Sequence, residues 1–392
     1  MRVLKSCLFP VLTVWLAAAG CQKAVDDRFS GQPDSIHSPL PDERFPGRKF
    51  RDAFAGLAAQ YEARVKDHPT DARAYAEMSE VYATLWCFGF WPRNDALPKA
   101  RAAAETAVSI DAKLGLAHTA LGLVNLLDWD WRGAERELLL AIQLGPREPR
   151  SHHWFSLYLS AMGRHQEALA ASTRAGELDP SAPGLKVGKG AILYFAHRFK
   201  ELKQHMLSTV ALDPTLPWPH DWLGMAYVEL KDFENAIPTY EKAVELSNRT
   251  AEVLAGLGHA YGLAGRKPEA LQVLEELEGY AKQWYVPPVQ RAYVCLGVGQ
   301  TDRAFQLLEE AFAMRAWELV FMRVEPWFDA FRSDPRFVDL EKRMNFPASP
   351  EAKLQETHSA RLEMGQPVPE GEVTHWPGRS RKIGCQPATS FS

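Results

Sequence analysis

The 392-residue sequence predicts an all-α fold, an α-solenoid of stacked helix hairpins, and three observations predict it. Segments that end a helix, Ser109–Ala112, Gln143–Pro146, Glu177–Pro180, Ala211–Pro214 and Glu245–Asn248, recur at a spacing of 34 residues. Small residues keep the same register: Gly122, Ser156, Gly190, Gly224 and Gly258 in the first helix of each unit, Ala134, Ala168, Ala236 and Ala270 in the second. Around them apolar residues fall at helical spacing, as in Leu254, Leu257 and Tyr261, then Ala270, Leu274 and Leu277. One such hairpin cannot bury its apolar face, whereas at least about three stacked hairpins share a continuous core.

Composition narrows the function classes. The chain is 46% hydrophobic and 24% charged, with a formal net charge of -4 and a mean hydropathy of -0.27. Those are the proportions of a water-facing globular protein, and the mild acidity excludes a polybasic binder of nucleic acid. Five cysteines, Cys7, Cys21, Cys87, Cys295 and Cys385, include no CxxC pair, which argues against a disulfide framework or a zinc ribbon.

Residues 1–20 read as a cleavable secretory signal: Arg2 and Lys5 precede a short apolar run that ends in small residues. The run is shorter than the ~20 apolar residues that a spanning helix needs. Its ending, Leu16-Ala17-Ala18-Ala19-Gly20-Cys21, resembles the bacterial lipobox, with Ala18 where that family most often has leucine. The resemblance implies that Cys21 is lipidated and becomes the mature N-terminus. Gln22, in place of an aspartate, implies sorting to the outer membrane, facing the periplasm. Residues 21–47, with Pro33, Pro39, Pro41 and Pro46 among polar residues, are expected to be a flexible tether.

The 34-residue period with small residues in register resembles the tetratricopeptide repeat (TPR) family. The resemblance implies a right-handed superhelix over residues 48–346 with a concave groove lined by the first helices. Six repeats are clear, the first running from about Ala72 to Ala112 around an aromatic insertion, Trp86 to Asn94. That insertion is expected to fold back over the helix Arg48–Lys66, an N-terminal half-unit. A degenerate seventh unit covers Pro287 to Ala316. The stretch Glu318 to Phe346, with Pro326-Trp327-Phe328, resembles the cap that follows such repeats in bacterial regulators carrying a winged-helix, cyclase or kinase domain. Residues 347–392, rich in proline and charge, are expected to be a disordered tail.

Residues of chemical interest are few. His118, His152 and His220 share one place in three repeats. Helices packed ~8–10 Å apart do not bring such places together at a single metal, so the three are read as structural and no metal or other cofactor is assigned. No phosphate loop, GxSxG elbow or HExxH motif is present, so the chain is not read as an enzyme. Cys385 is the one thiol whose segment invites pairing between chains.

The family's groove register, carried over residue by residue, selects Arg150, His153 and Leu157, then Val187, Ala191, Tyr194 and Phe195. It continues with Trp218, Asp221, Met225 and Glu229, and ends at His259. Its apolar and aromatic middle suits an amphipathic helix or an extended peptide, and the lysines and asparagines that clamp a carboxylate in one branch of the family are missing. The sequence therefore points to a lipid-anchored TPR scaffold that binds a protein or peptide partner at the cell envelope. A sensory or regulatory accessory of a signalling system is the alternative; a metal-dependent or hydrolytic enzyme has least support.

Overall fold

Helix hairpins follow one another along the whole of residues 47–347, the part of the chain that the structure, a computed structural model, describes. These residues lie within one compact unit. The half-unit helix is α1 (Arg48–Asp67). Seven hairpins come next: α2 (Ala72–Cys87) with α3 (Arg93–Ile110), α4 (Gly115–Leu127) with α5 (Trp131–Leu144), α6 (Pro149–Ala161) with α7 (His165–Leu178), and α8 (Pro183–Phe195) with α9 (Phe199–Leu212). Then come α10 (Pro217–Glu229) with α11 (Phe233–Leu246), α12 (Ala251–Leu263) with α13 (Lys267–Ala281), and α14 (Pro288–Val298) with α15 (Thr301–Ala313). Two 3-10 helices, Trp317–Phe321 and Pro326–Phe331, lead to α16 (Pro335–Met344), and there is no strand among the described residues. The expected all-α solenoid is the observed fold. The signal, Cys21 and the tail from residue 348 lie outside the described residues.

Local chemistry sets the hairpins. Asp71, Asp130 and Asp232 cap α2, α5 and α11 by accepting from the amides of Ala74 (3.0 Å), Gly133 (2.9 Å) and Asn235 (3.4 Å). Proline opens α6, α8, α10 and α14, where its missing N–H costs nothing. Every turn within a unit from the second to the seventh holds one residue with positive φ: Trp129, Gly163, His197, Lys231, Gly265 and Gly299, again 34 apart. The amide of the next residue returns to a carbonyl five positions back, as in Arg164 to Leu159 at 2.8 Å. Small residues in the first helices admit side chains of the second. The ring of Tyr240 fills the space a Cβ would need at both Gly224 (2.8 Å) and Gly256 (2.4 Å).

First helices α2, α4, α6, α8, α10, α12 and α14 pack on one another in succession and line the inner face. That face is bridged by the chain's own ends. Phe88 and Phe90 of the insertion pack on Phe54 of α1, as expected for a lid, but Phe88 also reaches Trp218 of α10 at 5.4 Å, and Phe50 reaches Trp218 at 5.2 Å. The amide of Gly47 donates to Asn248 O at 2.8 Å, so the start of α1 meets the turn before α12. At the other end the 3-10 helix Trp317–Phe321 contacts α4 and α6. Trp131 stacks on Phe346 (4.6 Å) and donates from its indole to Met344 O (3.0 Å). The array is closed across its inner face by insertion, half-unit helix and C-terminal cap.

Candidate functional site

The open groove expected from the repeat register is not what the inner face presents. Leu157, Val187, Ala191, Tyr194, Phe195, Trp218, Asp221 and His259 are buried, and much of what covers them is the segment from Trp317 to Phe331. Phe321 stacks on Phe195 at 4.4 Å, and Trp327 stacks on His259 at 4.3 Å. The reason is the aromatic load on both sides: neither the groove nor the cap segment can leave so much apolar surface in water. What remains is two polar centres with different contents.

The first centre is a nest around Arg150. Its guanidinium, 3% exposed, meets Glu80 at 3.1 Å, Glu148 at 3.1 Å and Glu77 at 3.4 Å. Glu80 also accepts from the indole of Trp154 at 3.0 Å, and Glu77 from Tyr61 at 3.2 Å. Arg150 therefore crosses from α6 to α2 and is spent on structure. His153, also assigned to the groove, is half-buried with its ring against Gly188 of α8, and burial lowers its pKa to about 4.

The second centre is a chamber between α6, α8, α10, α12, α14 and the cap. Leu157, Ala191, Tyr194, Phe195 and Met225 of the expected groove line it, together with Trp222, Glu252, Gln290, Tyr293, Trp317, Glu318, Phe321, Glu325 and Trp327. Its volume, measured over the positions a water centre can occupy, is ≈ 90 Å³. One water needs about 10–15 Å³ on that measure, so the chamber has room for several waters or a small organic group. Val187, Trp218, Asp221, Glu229 and His259 are not in its walls.

Its electrostatics are one-sided. Glu325 accepts from Tyr194 OH at 2.7 Å, and Glu318 from the Gln290 amide at 2.8 Å. The second oxygen of Glu318 is shielded from water and has no hydrogen-bond partner. Burial pushes Glu318 up to about 8 and Glu252 and Glu325 up to about 7, with Glu252 raising Glu318 further. Behind the wall, Asp221 is pushed well above the usual carboxylate range by burial and then by Glu252, and one of its oxygens is also unpartnered. Glu229 rises to about 7 by burial, then through Glu325. The arginines Arg332, Arg323 and Arg291 pair with Asp329, Glu341 and Glu310 and not with any of these five. Arg332, whose charge acts on Glu325 in the opposite direction to burial, is bound to Asp329 and to the carbonyls of Arg323 and Glu325.

Reading the groove register alone missed Trp222, Tyr293 and the whole cap side of the chamber. The signal available was the concentration of Trp317, Phe321, Trp327 and Phe328 in a short stretch without helical periodicity, a load that must be buried against something. The histidines behave as structural groups. His152 and His220 each place Nε2 3.0 Å from the carbonyl six residues upstream, at Pro146 and Pro214, and His118 does the same to Ala112 while meeting Glu137 at 2.8 Å. Lys186, at the same place in its repeat, donates to Pro180 O at 2.9 Å. Among the described residues no group of three His, Cys, Asp or Glu side chains is placed to hold a metal ion. Cys295 is buried and Cys87 half-buried; burial raises Cys295 to about 11 and Cys87 well above the ordinary thiol value.

Fold and repeat chemistry together define the class: a TPR-type α-solenoid whose inner face is partly occupied by its own cap. Residues 217–283 match the tetratricopeptide repeat family model. Superkiller protein 3 of Schizosaccharomyces pombe (strain 972 / ATCC 24843) is 28% identical over 108 residues, which is 26% of this chain and 7% of that protein. The chain thus spans less than a tenth of the curated relative it matches. Among solved structures, the APC/C hetero-tetramer Cut9-Hcn1 superposes with a TM-score of 0.52 at 16% identity, over 77% of this chain and 53% of that one. Yeast Tom70 gives 0.45 at 15% identity over 86% and 72%, and the type IV pilus biogenesis factor PilW 0.42 at 17% identity over 52% and 94%. At these identities the likeness is one of fold.

Proposed function

We propose that the protein is a lipid-anchored scaffold of the cell envelope that binds a protein or peptide partner through the chamber on its inner face. The observation that carries the binding reading is the chamber itself. The chain brings its own segment across the groove, yet leaves a partly open space walled by the groove residues Tyr194, Phe195 and Met225. A solenoid that needed only to close on itself would gain by filling that space. Anchoring at Cys21 is supported by the lipobox-like sequence, and no described helix is long and apolar enough to cross a membrane. Tethering a binding face near a membrane raises its effective concentration toward partners held there.

The test is a photo-crosslinking residue placed at Met225 in the full-length chain in its native membranes. A specific adduct is expected, and Ala191→Leu, which projects into the chamber, should abolish it while circular dichroism stays unchanged. An adduct that survives Ala191→Leu would overturn the chamber reading. For the anchor, Cys21→Ser should move the protein from the membrane to the soluble fraction; unchanged partition would remove the lipid.

A further inference from the structure

The chamber's walls describe the chemistry of what enters it. Rings of Tyr194, Trp222 and Phe195 form one continuous side, with centroids 5.5 Å (Tyr194–Trp222) and 6.2 Å (Phe195–Trp222) apart at steep angles, so that edges and faces alternate around the space. Phe321 extends this side to Trp317 at 5.1 Å, and Trp327 meets Tyr293 edge-on at 4.3 Å opposite. Aromatic faces carry negative potential and attract a cation that comes within about 6 Å. Glu252, Glu318 and Glu325 project onto the same space from three different elements: α12, the first 3-10 helix and the loop before the second.

Two buried atoms are unsatisfied there. Glu318 Oε2 is an acceptor with no donor, and the indole N–H of Trp327, a residue 7% exposed, is a donor with no acceptor. A buried unpartnered polar atom is costly and calls for an account. The chain shows elsewhere what satisfies such a carboxylate cluster: Arg150 occupies the nest of Glu77, Glu80 and Glu148. No lysine or arginine lines the chamber, and among the described residues no group of three His, Cys, Asp or Glu side chains is placed to hold a metal ion. A metal would also gain little from aromatic walls, whereas an organic cation uses both rings and carboxylates.

We propose that the chamber binds an alkylammonium group, seated between the Trp222–Tyr194 side and the Glu252 and Glu318 carboxylates. The inference rests on the chamber being the binding site and names the chemistry it selects. The ammonium supplies the donor that Glu318 Oε2 lacks, the alkyl stem lies along Leu157 and Met225, and the Trp327 N–H is left for an acceptor carried a few atoms from the cation. The same group has two sources, a lysine side chain of a partner peptide or a free small amine, and the chamber's ≈ 90 Å³ admits the head and short stem of either.

Titration of the purified full-length protein with n-butylammonium chloride, followed by tryptophan fluorescence and calorimetry, tests the idea against n-pentanol, a neutral molecule of similar length. Butylammonium is expected to bind roughly tenfold or more tightly than pentanol. The double variant Glu252→Gln/Glu318→Gln, close in shape to the native side chains, should erase that preference with an unchanged near-ultraviolet spectrum. If the double variant does not fold, Glu318→Gln alone should reduce the preference. Equal or better binding of pentanol, unchanged preference in the folded variants, or no response to butylammonium would each overturn the proposal. Comparison of a lysine-containing peptide with its N6-acetylated form separates the sources. A stronger response to the lysine peptide points to a partner chain. Binding of butylammonium without either peptide upholds the ammonium site and counts against the peptide-scaffold reading, and a crosslinked partner without ammonium preference does the reverse.

Discussion

Two carboxylate clusters on one inner face, only a few helices apart, are handled in opposite ways. Around Arg150, three glutamates share a guanidinium and are further held by Trp154 and Tyr61. In the chamber, Glu252, Glu318 and Glu325 share no described cation; Glu325 accepts from Tyr194 and from the Trp327 amide, and Glu318 from Gln290, all neutral donors. The contrast separates two uses of buried charge in a solenoid. The nest ties α6 to α2 across the intervening hairpin, a job for which a fixed internal cation is suited. The chamber keeps its acids partly protonated around a space of ≈ 90 Å³, an arrangement that contributes little to holding helices together and leaves room for a charge from outside. Even the nest is not free of strain: burial holds Glu80 up to about 7 despite Arg150.

Removing the guanidinium is the sharpest way to break the comparison. Arg150→Met keeps an apolar stem but leaves Glu80, about 1% exposed, without its cation, and Glu77 with Arg73 alone at 3.4 Å. Loss of one partner from a buried pair costs about 3–5 kcal/mol, the largest effect predicted here. Thermal or urea unfolding at pH 8 should show it, and hydrogen exchange should rise first in α2 and α6, since repeat arrays lose their weakest interface locally. A shift under about 1 kcal/mol would mean that the nest is not a structural tie. In the chamber the corresponding member is a neutral donor. Tyr194→Phe strips Glu325 of its shortest hydrogen bond while keeping the ring, for a cost of about 1–3 kcal/mol.

The sequence carried most of the scaffold because the scaffold is periodic. A spacing of 34 and a small residue in register are local facts repeated in every unit, and the positive-φ turns at Trp129, Gly163, His197, Lys231, Gly265 and Gly299 follow the same clock. Asp130 and Asp232 announce helix starts through chemistry that acts over three residues. The site was legible only on one side. Tyr194, Phe195 and Met225 belong to the repeat and could be placed by register; Trp317, Glu318 and Trp327 belong to an aperiodic segment whose position depends on how far the superhelix winds. Arg150 shows the same limit, because its partners Glu77 and Glu80 lie about two repeats back and are reached across the inner face. Periodicity predicts neighbours along the array, not contacts across it.

Acidity offers a gentler handle on the difference. Glu252, Glu318 and Glu325 have folded-state pKa values raised above those of the unfolded chain, so the native state binds more protons between the two. The slope of unfolding free energy against pH is then negative: stability should fall as pH rises from about 4.5, the unfolded value, through 7 to 8. Glu80 adds to the same trend through pH 7. The double variant Glu252→Gln/Glu318→Gln should remove two protons' worth of slope between about pH 4.5 and 7, and the slope of Glu318 alone between pH 7 and 8. If butylammonium occupies the chamber, adding it should flatten the wild-type curve in the same window, because a bound cation replaces the protons.

The smallest effects carry the sign that distinguishes the two centres. Glu77→Gln removes a charge that the nest uses, since Glu77 accepts from Tyr61 and faces Arg150, and should destabilise by about 1–2 kcal/mol at pH 8. Glu252→Gln removes a charge that nothing in the described chain compensates, and that lies within the reach of Glu318 and Asp221. It should be neutral or stabilise by up to about 1 kcal/mol at pH 8, and lose that gain at pH 5, where the native carboxyl is already protonated. Paired unfolding curves at the two pH values decide the matter with one isosteric change in each place. Two destabilisations of like size would mean that Glu252 has an internal partner and that the chamber is a second nest; opposite signs leave its charge available to a ligand.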